Sequence, residues 1–333
     1  MANQFIASGT SHPLLAELIS KHLKIPICEQ IIKPFRNSEI GVTIIDNVRN
    51  ADVFLVQTGW NNKEENKSIN DYIMESLILI DAYKRSAVKS ITLIIPHFPY
   101  ARQDKKDESR APITAKLMAN LYEKAGVNRV VIMDLHAPQI QGFFDIPVDN
   151  IYSTGIFREH FKTIQDVSKD YIIVSPDAGG MKRAICFGKV LKLPVTMMYK
   201  QRDYEQISTI SSMGIVGDSS VLENKTAIIC DDMCDTGGTL TKCIDILATY
   251  GVNEVICFIT HGIFSKPAIK NIEDCSILKQ MVVVNTIPQI HNIVRCDKIV
   301  VLDCSSLLSN VIKCLQNGGS ISRLFYNSNQ ECS

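Results

Sequence analysis

Short runs of β-branched and other apolar residues alternate along the whole chain with stretches whose apolar residues recur every three or four positions. The runs predict strands at 5–7, 53–57, 90–96, 129–133, 171–175, 194–198, 226–230, 254–259, 281–285 and 298–302. Several are apolar at nearly every position, as in Thr226-Ala-Ile-Ile-Cys230 and Met281-Val-Val-Val-Asn285. Strands covered on both faces look like this, which points to parallel sheets in α/β domains. The helical spacing is clearest at Ile69, Tyr72, Ile73, Leu77, Ile80 and Tyr83. It returns at 113–125, with Pro112 near the start and Gly126 just past the end, and again at 239–250 and 305–317.

The two halves share a plan. Val53-Phe-Leu-Val-Gln-Thr-Gly59 parallels Ile172-Ile-Val-Ser-Pro-Asp-Ala-Gly179, and Arg129–His136 parallels Thr226–Met233. Each pair sets polar or acidic residues at the C-terminal end of a strand. The pattern predicts two similar α/β domains, 1–150 and 151–333, with the boundary near 150–154. The polar stretch from Asn61 to Ser68 reads as a solvated loop.

Composition narrows the class. A length of 333 residues suits two domains, and 46% hydrophobic with 21% charged residues excludes disorder as the main state. Lys+Arg 35 balances Asp+Glu 35, so bulk charge indicates neither nucleic acid nor an anionic membrane as a partner. No apolar run approaches the roughly 18 residues of a membrane helix, and the opening residues predict no secretory signal. The 11 cysteines form no Cys-x-x-Cys pair, which argues against a zinc ribbon and for a reducing, cytoplasmic setting.

The chemistry is most legible at Ala227-Ile-Ile-Cys-Asp231-Asp232-Met-Cys-Asp235-Thr236-Gly237-Gly238-Thr239, an apolar strand followed by acids, small residues and a helix. Backbone N–H groups at a helix N-terminus favour an anion, and glycines let a phosphate approach. The Thr236 and Thr239 hydroxyls add donors, while Asp231 and Asp232 are acceptors suited to a sugar diol. The whole reads as a sugar-phosphate cradle, and neither a Walker loop nor a Gly-x-Gly-x-x-Gly run is present.

This segment resembles the phosphoribosyl-diphosphate loop shared by type I phosphoribosyltransferases and ribose-phosphate diphosphokinases (PRPP synthetases). Phe98–Asp107, Met133–Ala137, Gln139–Asp149, Val174–Gly180 and Thr260-His-Gly-Ile-Phe264 resemble the diphosphokinase, and the resemblance runs nearly end to end. It implies two phosphoribosyltransferase-type domains, the second carrying the ribose-phosphate loop. The implied reaction moves the β,γ-diphosphoryl group of ATP to the anomeric hydroxyl of ribose 5-phosphate, giving AMP and 5-phosphoribosyl 1-diphosphate for nucleotide synthesis. A non-catalytic regulatory relative and a nucleobase phosphoribosyltransferase are the alternatives. Lys200, Arg202 and His136 speak against the first, and the duplicated domain with the Arg102–Asp107 loop against the second.

The resemblance also implies roles residue by residue. Lys200 and Arg202 match the catalytic pair; two apart, they share a face if extended, and the polar stretch from Gln201 to Ser212 suits a lid. Arg202, Asp231, Asp232, Asp235, Thr236, Gly237, Gly238 and Thr239 match the ribose 5-phosphate site. Mg²⁺ is the implied cofactor, with His136 and Asp177 as ligands and Asp134, Asp145 and Asp149 beside them; Asp134 and His136 are expected on one face of a strand end. Phe35, Asn37, Ser38, Glu39, Arg102, Gln103, Asp107 and His136 match the ATP site. The loop Phe35–Glu39 would come from a neighbouring subunit, so a dimer is the minimum active unit and a hexamer is implied. Asn47, Arg49, Arg110, Gln141, Asn150, Ser320, Ser322 and Phe325 match a site shared by activating phosphate and inhibitory ADP. Ser is frequent in the family where Pro138 and Asn47 stand. Cys234 replaces a small apolar residue in the phosphoribosyl loop, and Asn61–Ser68 is longer than in the animal enzymes.

Overall fold

The computed structural model describes residues 3–202 and 210–324, the side chains of 200–202 and 210–213 excepted. Within it the chain forms two compact units. Unit 1 comprises residues up to Tyr152 together with Thr286–Pro288 and Cys304–Leu324; unit 2 comprises Ser153–Asn285 and Gln289–Asp303.

Unit 1 contains β1 (Gln4–Ser8), α1 (Pro13–Leu23), β2 (Gln30–Pro34), β3 (Ile40–Ile44), β4 (Asp52–Val56), α2 (Ile69–Arg85), β5 (Ser90–Ile94), α3 (Thr114–Ala125), β6 (Arg129–Met133) and β7 (Val148–Ile151). Its main sheet runs β1-β4-β5-β6-β7, all parallel. Strands β4, β5 and β6 each bury four consecutive residues, as their unbroken apolar runs require. Leu55, Leu93 and Ile132 pack there with Leu79, Tyr83 and Tyr122 from α2 and α3. Strands β2 and β3 form a separate antiparallel hairpin whose half-exposed residues give no continuous apolar run.

Unit 2 contains α4 (Thr154–Ile164), β8 (Tyr171–Ser175), α5 (Met181–Leu191), β9 (Val195–Arg202), β10 (Ile210–Ile215), β11 (Thr226–Cys234), α6 (Gly238–Thr249), β12 (Glu254–Gly262), α7 (Ala268–Asp274), β13 (Leu278–Val284), α8 (Ile290–Ile293) and β14 (Ile299–Leu302). The sheet order is β10-β9-β8-β11-β12-β13-β14; β10 pairs antiparallel with β9, and the remaining pairs are parallel. Ile229, Cys257 and Val283 on the sheet pack with Leu240, Ile244 and Leu247 of α6. The α/β reading of both halves therefore holds. The last helix, α9 (Ser305–Asn317), packs against α1 in unit 1, with His22 Nε2 3.2 Å from Ser305 Oγ and Gln316 Nε2 donating to Gln4 Oε1 at 3.0 Å.

The polar stretch from Asn61 to Ser68 is solvated over most of its length, as expected, and anchored at Asn62, Lys67 and Ser68. Asn62 and Lys67 exchange backbone hydrogen bonds of 2.8 and 2.9 Å, closing a small antiparallel bridge. Buried Asn62 donates from Nδ2 to Tyr72 OH at 3.2 Å, and Ser68 caps α2 in a capping box with Asp71. Lys67 Nζ donates to Thr10 Oγ1 at 2.7 Å and faces buried Glu75. Asn61 and the residues from Lys63 to Asn66 are exposed, as a solvated loop would have them. Polar composition alone could not distinguish a solvated run from one whose polar groups are satisfied internally.

Candidate functional site

In unit 2 the sugar-phosphate motif begins inside the sheet. Strand β11 continues through Asp231 and Asp232 to Cys234, past the expected end at Cys230, because β12 stays in register with it as far as Gly262. Pairing with β8 stops at Ile229. Beyond that point Arg183 of α5 reaches β11, its Nη1 donating to Oδ1 of Asp231 at 3.1 Å and Oδ1 of Asp232 at 3.2 Å. The Asp232 backbone N–H also donates to Asp231 Oδ1 at 2.9 Å. Burial first, then the charge of Asp232, raises the Asp231 carboxyl to about 7, against the lowering effect of Arg183.

The turn after Cys234 is fixed from below. The backbone N–H groups of Ile263 and Phe264 both donate to the Cys234 carbonyl, at 3.0 and 3.1 Å. Thus the Thr260–Phe264 motif, with Phe264 at φ 49°, holds the exit of β11. Asn271 of α7 donates from Nδ2 to the Thr236 carbonyl at 3.0 Å. Gly237 sits at φ 75°, a conformation that disfavours side chains, and starts α6 with no side-chain cap. Thr236 and Thr239 are exposed and Asp235 is half-buried. First-turn N–H groups and two hydroxyls therefore gather at one helix end, an arrangement suited to a phosphate. Cys234 is buried, and burial pushes its thiol up to about 12, so it is a neutral packing residue.

Asp177 lies on the exposed loop after β8, its Oδ1 accepting from the Gly180 N–H at 3.0 Å. Lys200 and Arg202 fall on β9, where Lys200 pairs with Met213 and Arg202 with Ile210. The register between the two strands shifts between Ile210 and Ser212. Most of the expected lid, residues 203–209, lies outside the described residues, as does Phe325.

In unit 1, Asp134 and His136 do not share a strand face. Strand β6 ends at Met133, and Asp134 adopts φ 40°, which breaks the alternation the expectation relied on. Asp134 is buried and His136 exposed. The Asp134 backbone N–H donates to the Ile151 carbonyl at 2.8 Å. Asp149, two residues before Ile151, is ion-paired with Arg129 at 2.7 Å, and exposed Asp145 has its N–H on Glu123. Among the described residues, no three His, Cys, Asp or Glu side chains converge into a metal cage.

Phe35–Glu39 is the tip of the β2–β3 hairpin. The Phe35 ring is 62% exposed and lies over Gly41, where a Cβ would meet it at 3.0 Å. The turn closes through the Phe35 N–H to the Glu39 carbonyl at 2.7 Å and the Glu39 N–H to Asn37 Oδ1 at 3.3 Å, with Ser38 at φ 70°. Arg102, Gln103 and Asp107 sit on the exposed loop between β5 and α3. Gln103 is held at the start of α3 by the Thr114 hydroxyl on its Oε1 and the Ala115 N–H on its carbonyl, the latter at 3.1 Å. Lys105 and Asp107 form an exposed pair at 3.5 Å.

All the described positions expected at the effector site fall in unit 1. Asn47 Oδ1 accepts from the Arg49 N–H at 3.3 Å, and Arg49 and Arg110 are exposed, Arg110 at φ 68°. Pro138 opens a 3-10 turn to Phe143, its carbonyl accepting from Gln141 Nε2 at 3.0 Å. Asn150 Oδ1 accepts from the Leu135 N–H at 3.0 Å, while its buried Nδ2 has no partner among the described residues. Ser320 and Ser322 are exposed beyond α9.

Both units have the phosphoribosyltransferase-type architecture, a mainly parallel sheet flanked by helices. Residues 4–126 match the family model of the N-terminal domain of ribose phosphate pyrophosphokinase, and residues 205–326 match that of the phosphoribosyl synthetase-associated domain. Ribose-phosphate pyrophosphokinase 4 of Saccharomyces cerevisiae is 45% identical over 320 residues, 96% of this chain and 94% of that one. Ribose-phosphate pyrophosphokinase 2 of Schizosaccharomyces pombe is 43% identical over 321 residues, 96% of each. The crystal structure of phosphoribosylpyrophosphate synthetase from Mycobacterium smegmatis superimposes with a TM-score of 0.86 at 36% identity, covering 95% of this chain and 100% of that one. The chain belongs to the ribose-phosphate pyrophosphokinase family.

Proposed function

We propose that the protein transfers the β,γ-diphosphoryl group of ATP to the anomeric hydroxyl of ribose 5-phosphate, releasing AMP and forming 5-phosphoribosyl 1-diphosphate for nucleotide synthesis. The observation that carries this reading is the Asp231–Thr239 segment: acceptors at the end of β11, then a turn opening on the uncapped start of α6. The first-turn N–H groups and the Thr236 and Thr239 hydroxyls hold the 5-phosphate. Asp231 and Asp232 accept from the ribose hydroxyls. The hydroxyl oxygen bonds to the β-phosphorus as the bridge to the α-phosphate breaks. Lys200 and Arg202 balance the negative charge on the transferring group.

The nucleotide roles fall on unit 1: Phe35 stacks on the base, Asn37, Ser38 and Glu39 bond to it, and Arg102, Gln103, Asp107 and His136 hold adenine and phosphates. The exposure of Phe35 on a hairpin tip supports its delivery to a neighbouring subunit, in a dimer as the minimum active unit and a hexamer built from such dimers. Mg²⁺ suits the donors present. Asp134, Asp177 and His136 would hold it together with substrate phosphates, which fits an ion bound by one or two carboxylates rather than by an all-protein cage. When bound, it neutralises phosphate charge. Asp145 and Asp149 are the weaker members of that set. The effector site comprises Asn47, Arg49, Arg110, Gln141, Asn150, Ser320, Ser322 and Phe325; the orphaned Asn150 Nδ2 is a buried donor suited to a ligand oxygen. Among the described residues, no helix is long and apolar enough to cross a membrane. Free thiols such as Cys28, Cys230 and Cys257 fit a reducing, cytoplasmic setting, while Cys186 is disulfide-bonded.

The deciding experiment mixes protein, ATP, Mg²⁺ and ribose 5-phosphate. AMP should form in equal amount with the diphosphorylated sugar, and chelation of Mg²⁺ should stop it. ADP in place of AMP would mean single phosphoryl transfer, and no nucleotide product would favour a non-catalytic protein.

A further inference from the structure

Arg183 has no part in the roles assigned above, yet its position is unusual for a cation. It stands in the first turn of α5, where the helix dipole disfavours positive charge, with Lys182 beside it. Something must offset that arrangement. Its Nη1 is 3.1 Å from Asp231 Oδ1 and 3.2 Å from Asp232 Oδ1. These are successive residues of β11, whose side chains start toward opposite faces of the sheet. One guanidinium can serve both because the β8–β11 pairing has ended at Ile229, leaving the edge of β11 open toward α5.

The acids need this partner. The Asp232 side chain is only 6% exposed and that of Asp231 33%. Adjacent carboxylates repel each other, and burial without a counter-charge favours their neutral forms. A neutral carboxyl accepts less strongly and presents a proton of its own to the incoming hydroxyls. Asp231 Oδ1 is already occupied by Arg183 and the Asp232 N–H, which leaves Oδ2 for a ligand.

We propose that Arg183 is a positioning residue of the sugar site: it holds the carboxyl groups of Asp231 and Asp232 in place as a pair of acceptors for the vicinal hydroxyls of ribose 5-phosphate without touching the sugar itself. This rests on the assignment of the β11–α6 segment to the sugar.

The test is calorimetric titration of ribose 5-phosphate and, separately, of Mg-ATP into the full-length protein and its Arg183→Lys and Arg183→Gln variants, with steady-state rates. Arg183→Gln keeps hydrogen-bond donors but no charge, and should weaken sugar binding by about 10- to 100-fold, the scale of a lost charged hydrogen bond. Its ATP affinity should stay within about twofold, and kcat at saturating sugar should fall much less than kcat/KM for the sugar. Arg183→Lys, which keeps the charge, should recover most of the sugar affinity. Equal sugar affinity in wild type and Arg183→Gln, matched losses for sugar and ATP, or no rescue by lysine would each overturn the proposal. Should Arg183→Gln fail to fold, Arg183→Lys decides alone: sugar affinity within about fivefold of wild type supports the role, and a loss of about 50-fold or more overturns it. A wild-type protein that does not bind ribose 5-phosphate would instead remove the sugar-site assignment.

Discussion

Lys67 Nζ lies 3.6 Å from Oε2 of Glu75, a carboxylate buried on α2 that also accepts from the Thr10 N–H at 2.7 Å, the Thr10 hydroxyl at 2.6 Å and Gln57 Nε2 at 2.9 Å. The polar segment before α2 thus ends in a group that neutralises a buried charge. Glu75→Ala strands several donors and should cost about 3 kcal/mol. Lys67→Met should cost about 1 kcal/mol, since Lys67 is partly exposed. A double-mutant cycle followed by chemical denaturation measures their coupling, and simple additivity would show that the pair does not act as one.

Lys200→Ala should lower kcat by about 10²–10³, the scale for removing one preorganised charge from a transition state. Ribose 5-phosphate should still bind, because in the proposed function its phosphate is assigned to Asp235–Thr239. Arg202→Ala should lower kcat similarly and raise KM for the sugar as well. Near-normal turnover in Lys200→Ala would take that residue out of the mechanism.

Asp231 gives opposite pH slopes to stability and to binding. Its folded pKa, about 7, lies above an ordinary carboxylate's value near 4. The folded state therefore binds the proton more tightly. The resulting stabilisation is complete below about pH 4 and is lost as pH rises through about 7. Between those values the Tm of wild type should decline relative to Asp231→Asn. Sugar affinity needs the carboxylate and should weaken as pH falls. Parallel Tm curves for the two proteins would refute the raised pKa.

Pro138 offers an effector neither an N–H nor a hydroxyl. At the first position of its 3-10 turn the missing N–H is tolerated locally. Pro138→Ser should therefore fold and should lower the phosphate concentration for half-maximal activity by about tenfold or more. Phosphate titrations of rate at fixed substrates compare the two, and coincident curves would show that position 138 does not touch the anion.

The sequence was most legible where structure and chemistry are contiguous. Unbroken apolar runs became β4, β5, β6 and β8, and the Asp231–Thr239 motif kept its order from strand to helix. The hairpin of β2 and β3 was hidden because its residues are half-exposed on both sides. Helix α1 was missed although it buries Leu15, Ala16 and Ile19. The shared face expected of Asp134 and His136 failed on a single dihedral, the φ of 40° at Asp134. Arg183 comes from 48 residues before Asp231. Its one sequence signal is Lys182-Arg183 just after Gly179-Gly180, two cations where a helix start favours acids.

The packing of α9 on α1 has a consequence for how the protein is made. Gln4 is synthesised 312 residues before its partner Gln316. Unit 1 begins before unit 2 and is completed by Cys304–Leu324, with most of unit 2 synthesised in between. Contacts of such sequence separation carry a high loop-closure entropy and slow the step that forms them. Until that step, the apolar face of α1 is without its late-arriving partner, and transiently exposed apolar surface of this kind favours aggregation.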